Sequence, residues 1–554
     1  MKYSQKILSQ TVTQLCLAKG INHIVISPGS RNAPLILGFT EDKSFKTFSI
    51  VDERCAAFFA LGIAQQEKKP VALVCSSGSA LLNYYPAIAE AFYSDIPLVV
   101  ISADRPAHLI DVGDGQTIRQ EEVYTNHILY SANCRDGAMH QEFNELEINT
   151  ALNKALTDNG PVHINVPFSE PLYGFVDKLT VSPKNIPPSI ELATFDTELD
   201  SFISNWNAAK RKMILVGVLT PNSIEQEYLN MLGEDESVIV LTETTSNLHH
   251  PNFFPAIDQL IAPLENNQFS DLQPDLLLTF GGMVVSKKIK AFLRTNTPKT
   301  HYHIDAKGAM DTFFVLTHHF AINFNTFFKS YLVDSKTINS NYRNNWLSIK
   351  NTRLELHKSY VNSIAYSDFK VFSLLFKHIP GNAQLQLANS TTVRYAQLFS
   401  LNESLEVFCN RGTSGIDGST STAIGASYAS TLPTVLITGD LSFFYDSNAL
   451  WNQYIPKNFR IIIVNNGGGG IFRILPGKND TDNFSTYFET KHNLTAEPLA
   501  KLYGFEYQTA NNEASLETAL ELFFKASELP KILEVFTPSE VNDQVLLDYF
   551  NFIK

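Results

Sequence analysis

Two polar pairs in the last third of the chain have the residue types and the spacing to hold a metal-bound anion. Gly439-Asp440-Leu441-Ser442 follows the β-branched run Thr-Val-Leu-Ile-Thr, and after the 24 positions 441–464 the pair Asn465-Asn466 closes Arg-Ile-Ile-Ile-Val. Both pairs fall at C-terminal strand ends, where open α/β sheets bind ligands. A carboxylate, an amide oxygen and a backbone carbonyl are hard oxygen ligands suited to Mg2+, with diphosphate oxygens completing the octahedron; Mn2+ accepts the same ligands. Gly467-Gly468-Gly469-Gly470 then lets the backbone approach ion and phosphates without a Cβ clash. Gly-Asp alone is usually a turn, and so is Asn-Asn-Gly. Only their combination, each closing a β-branched run, points to a site.

The elements that must carry these pairs read as three α/β units. In the first, HIVIS (23–27), VALVCSS (71–77), LVVISAD (98–104) and VHINVP (162–167) alternate with helical patterns such as ERCAAFFALGIAQQ and ALLNYYPAIAEAFY. Strands separated by helices imply right-handed crossovers and a parallel sheet covered on both faces. A polar, proline-containing stretch near 180–195 reads as a linker. The second unit follows with MILVGVL, VIVLTE, DLLLTFGG and HYHID. Another helical, polar connection is expected from about 335 to 368, and the third unit has LEVFCN, TVLITGD, RIIIVNN and KILEVF at its strand positions. The expected divisions are residues 1–182, 195–340 and 365–554.

Bulk properties narrow the class. With 44% hydrophobic residues, 39 Phe and 21 Tyr among 554 residues, the chain has ample material for sizeable cores and is not a disordered class. A net charge of −13 argues against general binding to nucleic acid or anionic membranes, so arginines gathered at a site are local design against an acidic background. Five scattered cysteines without a CxxC pair indicate neither a disulfide framework nor a zinc knuckle. The N-terminus lacks the apolar core of a signal peptide and no run approaches bilayer length. The expectation is a cytoplasmic protein.

The paired motif resembles that of the thiamine-diphosphate enzymes, commonly Gly-Asp-Gly and then Asn-Asn. Further segments appear in order: Ser27-Pro28-Gly29-Ser30-Arg31-Asn32, Asp52-Glu53-Arg54 opening a helix, Asp104-Arg105-Pro106, Gly115-Gln116, Asn389-Ser390 with Arg394, and Asn410-Arg411-Gly412-Thr413-Ser414-Gly415-Ile416-Asp417-Gly418. With GDLS at 439–442 and NNGGGGIF at 465–472, this series resembles the 2-succinyl-5-enolpyruvyl-6-hydroxy-3-cyclohexene-1-carboxylate synthase (MenD) family of menaquinone biosynthesis. Leu441 in place of the usual second glycine is that family's own variant.

The resemblance implies three open, mostly parallel-sheet α/β domains: pyrimidine-binding, central and diphosphate-binding. It implies thiamine diphosphate and Mg2+ as cofactors, with Asp440, Asn466 and the carbonyl of Gly468 on the metal. Glu53 would meet the aminopyrimidine N1′, Ile416 would support the bent cofactor, and Ile471 and Phe472 would wall the site, with Ser390, Gly415, Leu441 and Ser442 also at the cofactor. The implied reaction decarboxylates 2-oxoglutarate and adds the resulting succinic-semialdehyde carbanion to isochorismate. Both substrates carry two carboxylates, and Arg31, Lys287, Lys288, Arg394 and Arg411 are nominated to meet them, with Ser30, Gln116 and Ser390 as hydrogen-bonding partners. The family often has Lys-Arg where this chain has Lys287-Lys288, and Asn where it has Gly115. A homodimer or a tetramer built from dimers is implied, with the site shared between two chains.

Other readings share part of this pattern. A different thiamine-diphosphate carboligase or a 2-oxo acid decarboxylase would keep Glu53, Asp440 and Asn466 without needing so many cations. A non-catalytic cofactor-binding protein would not need an acid at Glu53. A dinucleotide-dependent oxidoreductase would need GxGxxG opening a helix, a context that GGGGIF lacks.

Overall fold

The computed structural model describes residues 2–189, 198–332, 336–474 and 481–554. Its strands form three parallel sheets, and Tyr3–Ser4 pairs with Phe175–Val176 in a small antiparallel one. The first contains β1 (His23–Ile26), β2 (Lys46–Ser49), β3 (Val71–Cys75), β4 (Leu98–Asp104), β5 (Ser131–Asn133) and β6 (Val162–Pro167), in the order β2-β1-β3-β4-β6-β5. The second contains β7 (Lys212–Val216), β8 (Val238–Leu241), β9 (Leu276–Phe280), β10 (Thr300–Ile304) and β11 (His318–Phe320), in the order β8-β7-β9-β10-β11. The third contains β12 (Gln384–Leu387), β13 (Glu406–Cys409), β14 (Thr434–Gly439), β15 (Arg460–Asn465), β16 (Glu506–Ala510) and β17 (Lys531–Phe536), in the order β13-β12-β14-β15-β17-β16. The first and third sheets therefore have the same topology. Strands such as β3 and β4 are buried along their whole length, as expected for a parallel sheet covered on both faces.

Nine helices bear on the site: α1 (Glu53–Glu67), α2 (Tyr85–Tyr93), α3 (Ile257–Ile261), α4 (Lys287–Thr295), α5 (Tyr342–Ser363), α6 (Asp368–His378), α7 (Thr391–Ala396), α8 (Ser419–Ala429) and α9 (Asp440–Tyr445). Asp52 caps α1 by accepting from the Cys55 amide at 3.2 Å, and Ser286 caps α4 in the same way through Ile289. The helical stretch ALLNYYPAIAEAFY is two helices. Ser79–Asn83 ends before Tyr84, and α2 restarts with Pro86 in its first turn, where a missing N–H is harmless.

One apolar core joins the first and third units through α1 and α8. The two helices approach so closely that a Cβ on Gly62 would strike the Thr422 carbonyl, and one on Gly425 would strike the Phe59 carbonyl. The connection expected after 335 contains α5, a 22-residue helix. Residues 190–197, which include the end of the first linker and the expected start of the central unit at 195, lie outside the described residues, as do 333–335. The five cysteines are buried and unpaired. Among the described residues no helix is long and apolar enough to cross a membrane.

Candidate functional site

β14 and β15 are adjacent parallel strands with Gly439 opposite Val464, so Asp440 and the Asn465-Asn466 pair emerge side by side at their C-terminal ends. Asp440 is 2% exposed. Its Oδ1 accepts from the Leu441 amide at 2.6 Å, and its Oδ2 accepts from the Gly467 and Gly468 amides at 2.9 and 3.0 Å. The glycine turn thus wraps around the carboxylate. Gly468 has φ +149°, and a Cβ there would come within 2.6 Å of the Glu489 carbonyl, so the close approach needs glycine. Asn466 donates Nδ2 to Asp368 Oδ2 at 2.9 Å, which leaves its side-chain oxygen as the atom offered to a ligand. Burial raises the Asp440 carboxyl, opposed by the three amides and by His492, whose Nε2 is 3.4 Å from Oδ2. Beside the pair opens a cavity of about 540 Å3 lined by Asn465, Asn466, Gly467, Lys491, His492 and Thr537. A carboxylate, a free amide oxygen and a glycine turn beside a basic-walled cavity fit a hard cation bridging to a diphosphate.

The loop after β13 forms a second wall. Asn389 Nδ2 donates to the carbonyls of Asn410 and Gly415 at 2.7 Å each, and its Oδ1 accepts from Arg411 Nη1 at 2.7 Å. Ser442 Oγ donates to the Ile416 carbonyl at 2.8 Å, tying this loop to the Asp440 turn. Ile416, Leu441, Ile471 and Phe472 are half-buried, and Ser390 sits at φ +72° just before α7. Glu90, 1% exposed on α2, holds the same loop from the first unit. It accepts from the Gly412 and Thr413 amides at 2.7 Å each and from Thr413 Oγ1 at 2.8 Å.

Glu53 opens α1, and Asn83 Nδ2 donates to its Oε2 at 3.1 Å. Its neighbours reach the third unit of the same chain. Asp52 accepts from Asn448 Nδ2 at 2.8 Å, and Arg54 donates to the Tyr445 carbonyl at 2.9 Å. Both contacts lie at or beyond the far end of α9 from Asp440. Among the described residues Glu53 itself makes no hydrogen bond to the third unit of its own chain.

The nominated cations divide into three groups. Arg394 makes no hydrogen bond or ion pair among the described residues, and its Nε, like that of Arg411, is buried without a partner. Burial lowers the Arg394 pKa, as does Arg411, while Asp258 and Glu243 raise it. Arg31 is already engaged, by the Phe168 carbonyl at 2.8 Å and Glu170 at 3.2 Å. Ser30 and Gln116 are exposed beside the first sheet, with Gln116 at φ +55° next to the Gly78 turn. Lys287 and Lys288 are exposed at the start of α4, Lys288 lying 5.4 Å from the centroid of the Phe550 ring.

Four residues at this site escape a reading of the sequence. Lys290, one turn along α4 from Lys287, is half-buried, and its pKa is lowered by burial and by Arg411, Arg294 and Arg394, while Glu243 raises it. Glu243 is fully buried, accepts from the Val285 and Ser286 amides at 2.7 and 2.8 Å, and is pushed up to about 7 by burial. Asp368 orients Asn466, and Glu90 seats the 412–413 loop. A capping-like Glu243-Thr-Thr-Ser246 is the only local signal among these; the others act through contacts between distant segments.

The family model described as thiamine pyrophosphate enzyme, N-terminal TPP binding domain, matches residues 7–128, and that of the C-terminal TPP binding domain matches 389–535. The chain is 56% identical to a protein of Christiangramia forsetii over the full length of both. It is 55% identical to one of Flavobacterium johnsoniae, over 99% of each chain. A Porphyromonas gingivalis protein is 39% identical, over 100% of this chain and 98% of its own. All three relatives carry the name 2-succinyl-5-enolpyruvyl-6-hydroxy-3-cyclohexene-1-carboxylate synthase.

Proposed function

The chain belongs to the 2-succinyl-5-enolpyruvyl-6-hydroxy-3-cyclohexene-1-carboxylate synthases, a family of thiamine-diphosphate enzymes, and from that premise we propose which of its residues perform each part of the reaction. The enzyme is a carbon–carbon bond-forming transferase of menaquinone biosynthesis. It takes 2-oxoglutarate and isochorismate and releases CO2. Thiamine diphosphate, when bound, supplies the nucleophilic carbon and the electron sink that makes decarboxylation feasible.

Asp440, the side-chain oxygen of Asn466 and the carbonyl of Gly468 would hold the Mg2+ that accompanies the diphosphate; Mn2+ would suit the same donors. Gly415, Ile416, Leu441, Ser442, Ile471 and Phe472, with Ser390, shape the cofactor cleft. Glu53 holds a proton at the aminopyrimidine N1′ and is the acid–base residue of the reaction. Arg394, Arg411 and Lys290 receive substrate carboxylates, with Arg31, Ser30, Gln116, Lys287 and Lys288 at the margins. The observation that carries the anion assignment is the pair of guanidinium groups, Arg394 and Arg411, whose Nε atoms are buried without a partner. A partly buried cation without an anionic partner is costly unless a ligand supplies one.

The smallest working unit is a homodimer in which Glu53 of one chain meets the Asp440 site of the other, and a tetramer would pair two such dimers. Support comes from the two separate sheets carrying these residues and from the placement of Asp52 and Arg54, rather than Glu53, against the third unit of the same chain. The units divide at 1–182, 195–340 and 365–554. The buried, unpaired cysteines suit a reducing cytoplasm.

The test is a product assay. Purified protein with thiamine diphosphate, Mg2+, 2-oxoglutarate and isochorismate should yield one new compound with the mass of the named carboxylate. Pyruvate in place of 2-oxoglutarate should yield none. Equal use of pyruvate would instead favour a general carboligase.

A further inference from the structure

A second cavity, of about 560 Å3, lies between α5, α6 and the segment around α3, and none of its lining residues belongs to the cofactor or substrate set above. Its size falls in the range of small-molecule sites. Its walls are largely apolar, with Phe253, Leu354, Phe376 and Phe399 among them. Its polar side is basic. Lys350, Arg353, His357 and Lys358 project from one face of α5 at helical spacing, and Lys377 joins them from α6. No Asp or Glu lines the cavity among the described residues, although the chain carries a net charge of −13.

Arg353 is the decisive group. It is 5% exposed, yet among the described residues it has no carboxylate partner. Nη1 donates to the Gln259 carbonyl at 3.1 Å and to that of Leu260. Nε is buried with no hydrogen-bond partner, and among the described residues none engages Nη2. Nη2 is thus the donor left open to a ligand, and a charge-assisted bond from it to a carboxylate is a strong one. Lys350, one turn earlier, is held by the carbonyls of Pro251 and Phe253 at 2.8 and 3.0 Å, and among the described residues it too lacks an ion pair. Of the lysines on the rim, Lys358 pairs with Glu355 at 2.8 Å. Burial lowers Arg353 to about 10, the response of a cation without a counter-ion.

A fixed guanidinium edge at one side and an apolar chamber at the other define an amphipathic anion. We propose that this cavity binds a small organic carboxylate with an apolar body, its carboxylate on Nη2 of Arg353 and its body among Phe253, Leu354, Phe376 and Phe399. The wall that Arg353 holds is α3, which also carries Asp258. Ser286 Oγ donates to Asp258, and Ser286 caps α4, the helix that bears Lys287, Lys288 and Lys290. The cavity and the substrate cations therefore share one structural element.

The test uses octanoate and its neutral counterpart 1-octanol as probes, titrated calorimetrically into the full chain loaded with thiamine diphosphate and Mg2+. Octanoate should bind once per chain and at least ~10-fold more tightly than octanol, the minimum gain from a charge-assisted pair. Arg353→Met should bring octanoate down to the level of octanol. Leu354→Trp, which keeps the guanidinium and fills the chamber from a half-buried helix position, should abolish binding of both, and it decides the matter even if Arg353→Met fails to fold. Octanoate binding no tighter than octanol overturns the proposal. So does octanoate binding that survives Leu354→Trp, because the probe would then be sitting on the substrate cations.

Discussion

Replacing Arg394 with Met should separate substrate recognition from stability. In the structure this guanidinium makes no hydrogen bond or ion pair among the described residues, and its Nε is buried without a partner. Methionine keeps the length and the helix propensity of the side chain on α7. The folded protein therefore loses no hydrogen bond and sheds a poorly compensated buried charge, so the melting temperature should hold or rise. The substrate complex loses a bidentate pair. At about 1.5 kcal/mol for each charge-assisted bond, the low end of the usual range, the loss is about 3 kcal/mol, which lowers kcat/KM by about 10²-fold. Steady-state kinetics with 2-oxoglutarate and isochorismate, thermal melts and calorimetry with thiamine diphosphate give the three readouts. Cofactor affinity should not change. Arg411→Met should differ, because Arg411 also bonds Asn389, which ties the Asn410 and Gly415 carbonyls; both stability and kcat/KM should fall. Wild-type kcat/KM in Arg394→Met would refute the anion-recognition argument. A fall in activity matched by unfolding would refute the structural reasoning behind it.

The remaining expectations follow from other contacts. Asp440→Ala leaves the Leu441 and Gly468 amides without their acceptor and removes the anionic metal ligand, so thiamine diphosphate affinity measured by calorimetry should drop and excess Mg2+ should restore it only in part. Glu53→Gln should lower turnover by roughly 10²–10⁴ while the cofactor still binds. Mixing these two inactive variants with verified subunit exchange should return about a quarter of the sites to activity, since about half the dimers are mixed and each has one intact site; silence would show that each site is built within one chain. Lys290→Met should raise KM for at least one substrate more than Lys287→Met does, because Lys290 is half-buried where Lys287 stands in solvent. Burial holds His163 neutral, with its pKa lowered to about 3 from 6.5. The unfolded chain alone takes up that proton as pH falls below 6.5, so stability is fully present above 6.5 and is lost toward pH 3, by about 2 kcal/mol at pH 5; denaturant melts of wild type and His163→Gln across this range should show a shallower acid slope in the variant.

What the sequence alone determined is local or periodic. Asp440 and Asn466 were legible because each closes a β-branched run, and two such runs in a doubly wound sheet bring their C-terminal ends together. Glu53 was legible as the first residue of a helix capped by Asp52. The alternation of strand and helix specified parallel sheets, since each crossover must return over one face. What only the tertiary structure decided depends on packing between segments remote in the chain. Glu90 seats Gly412 and Thr413 across 322 and 323 positions, and no spacing within the sequence encodes that pairing. Asp368 turns the Asn466 amide from 98 positions away. Along α4 the sequence nominated Lys287 and Lys288 and passed over Lys290; the seating of that helix, whose capping Ser286 donates its amide to Glu243, left Lys290 half-buried and the other two in solvent. Arg353 would pass in the sequence for one more surface charge on a polar helix; it is a buried, half-satisfied cation because α3 and α6 close over it, and a side chain's burial is fixed by its neighbours in space and not by its neighbours in the chain.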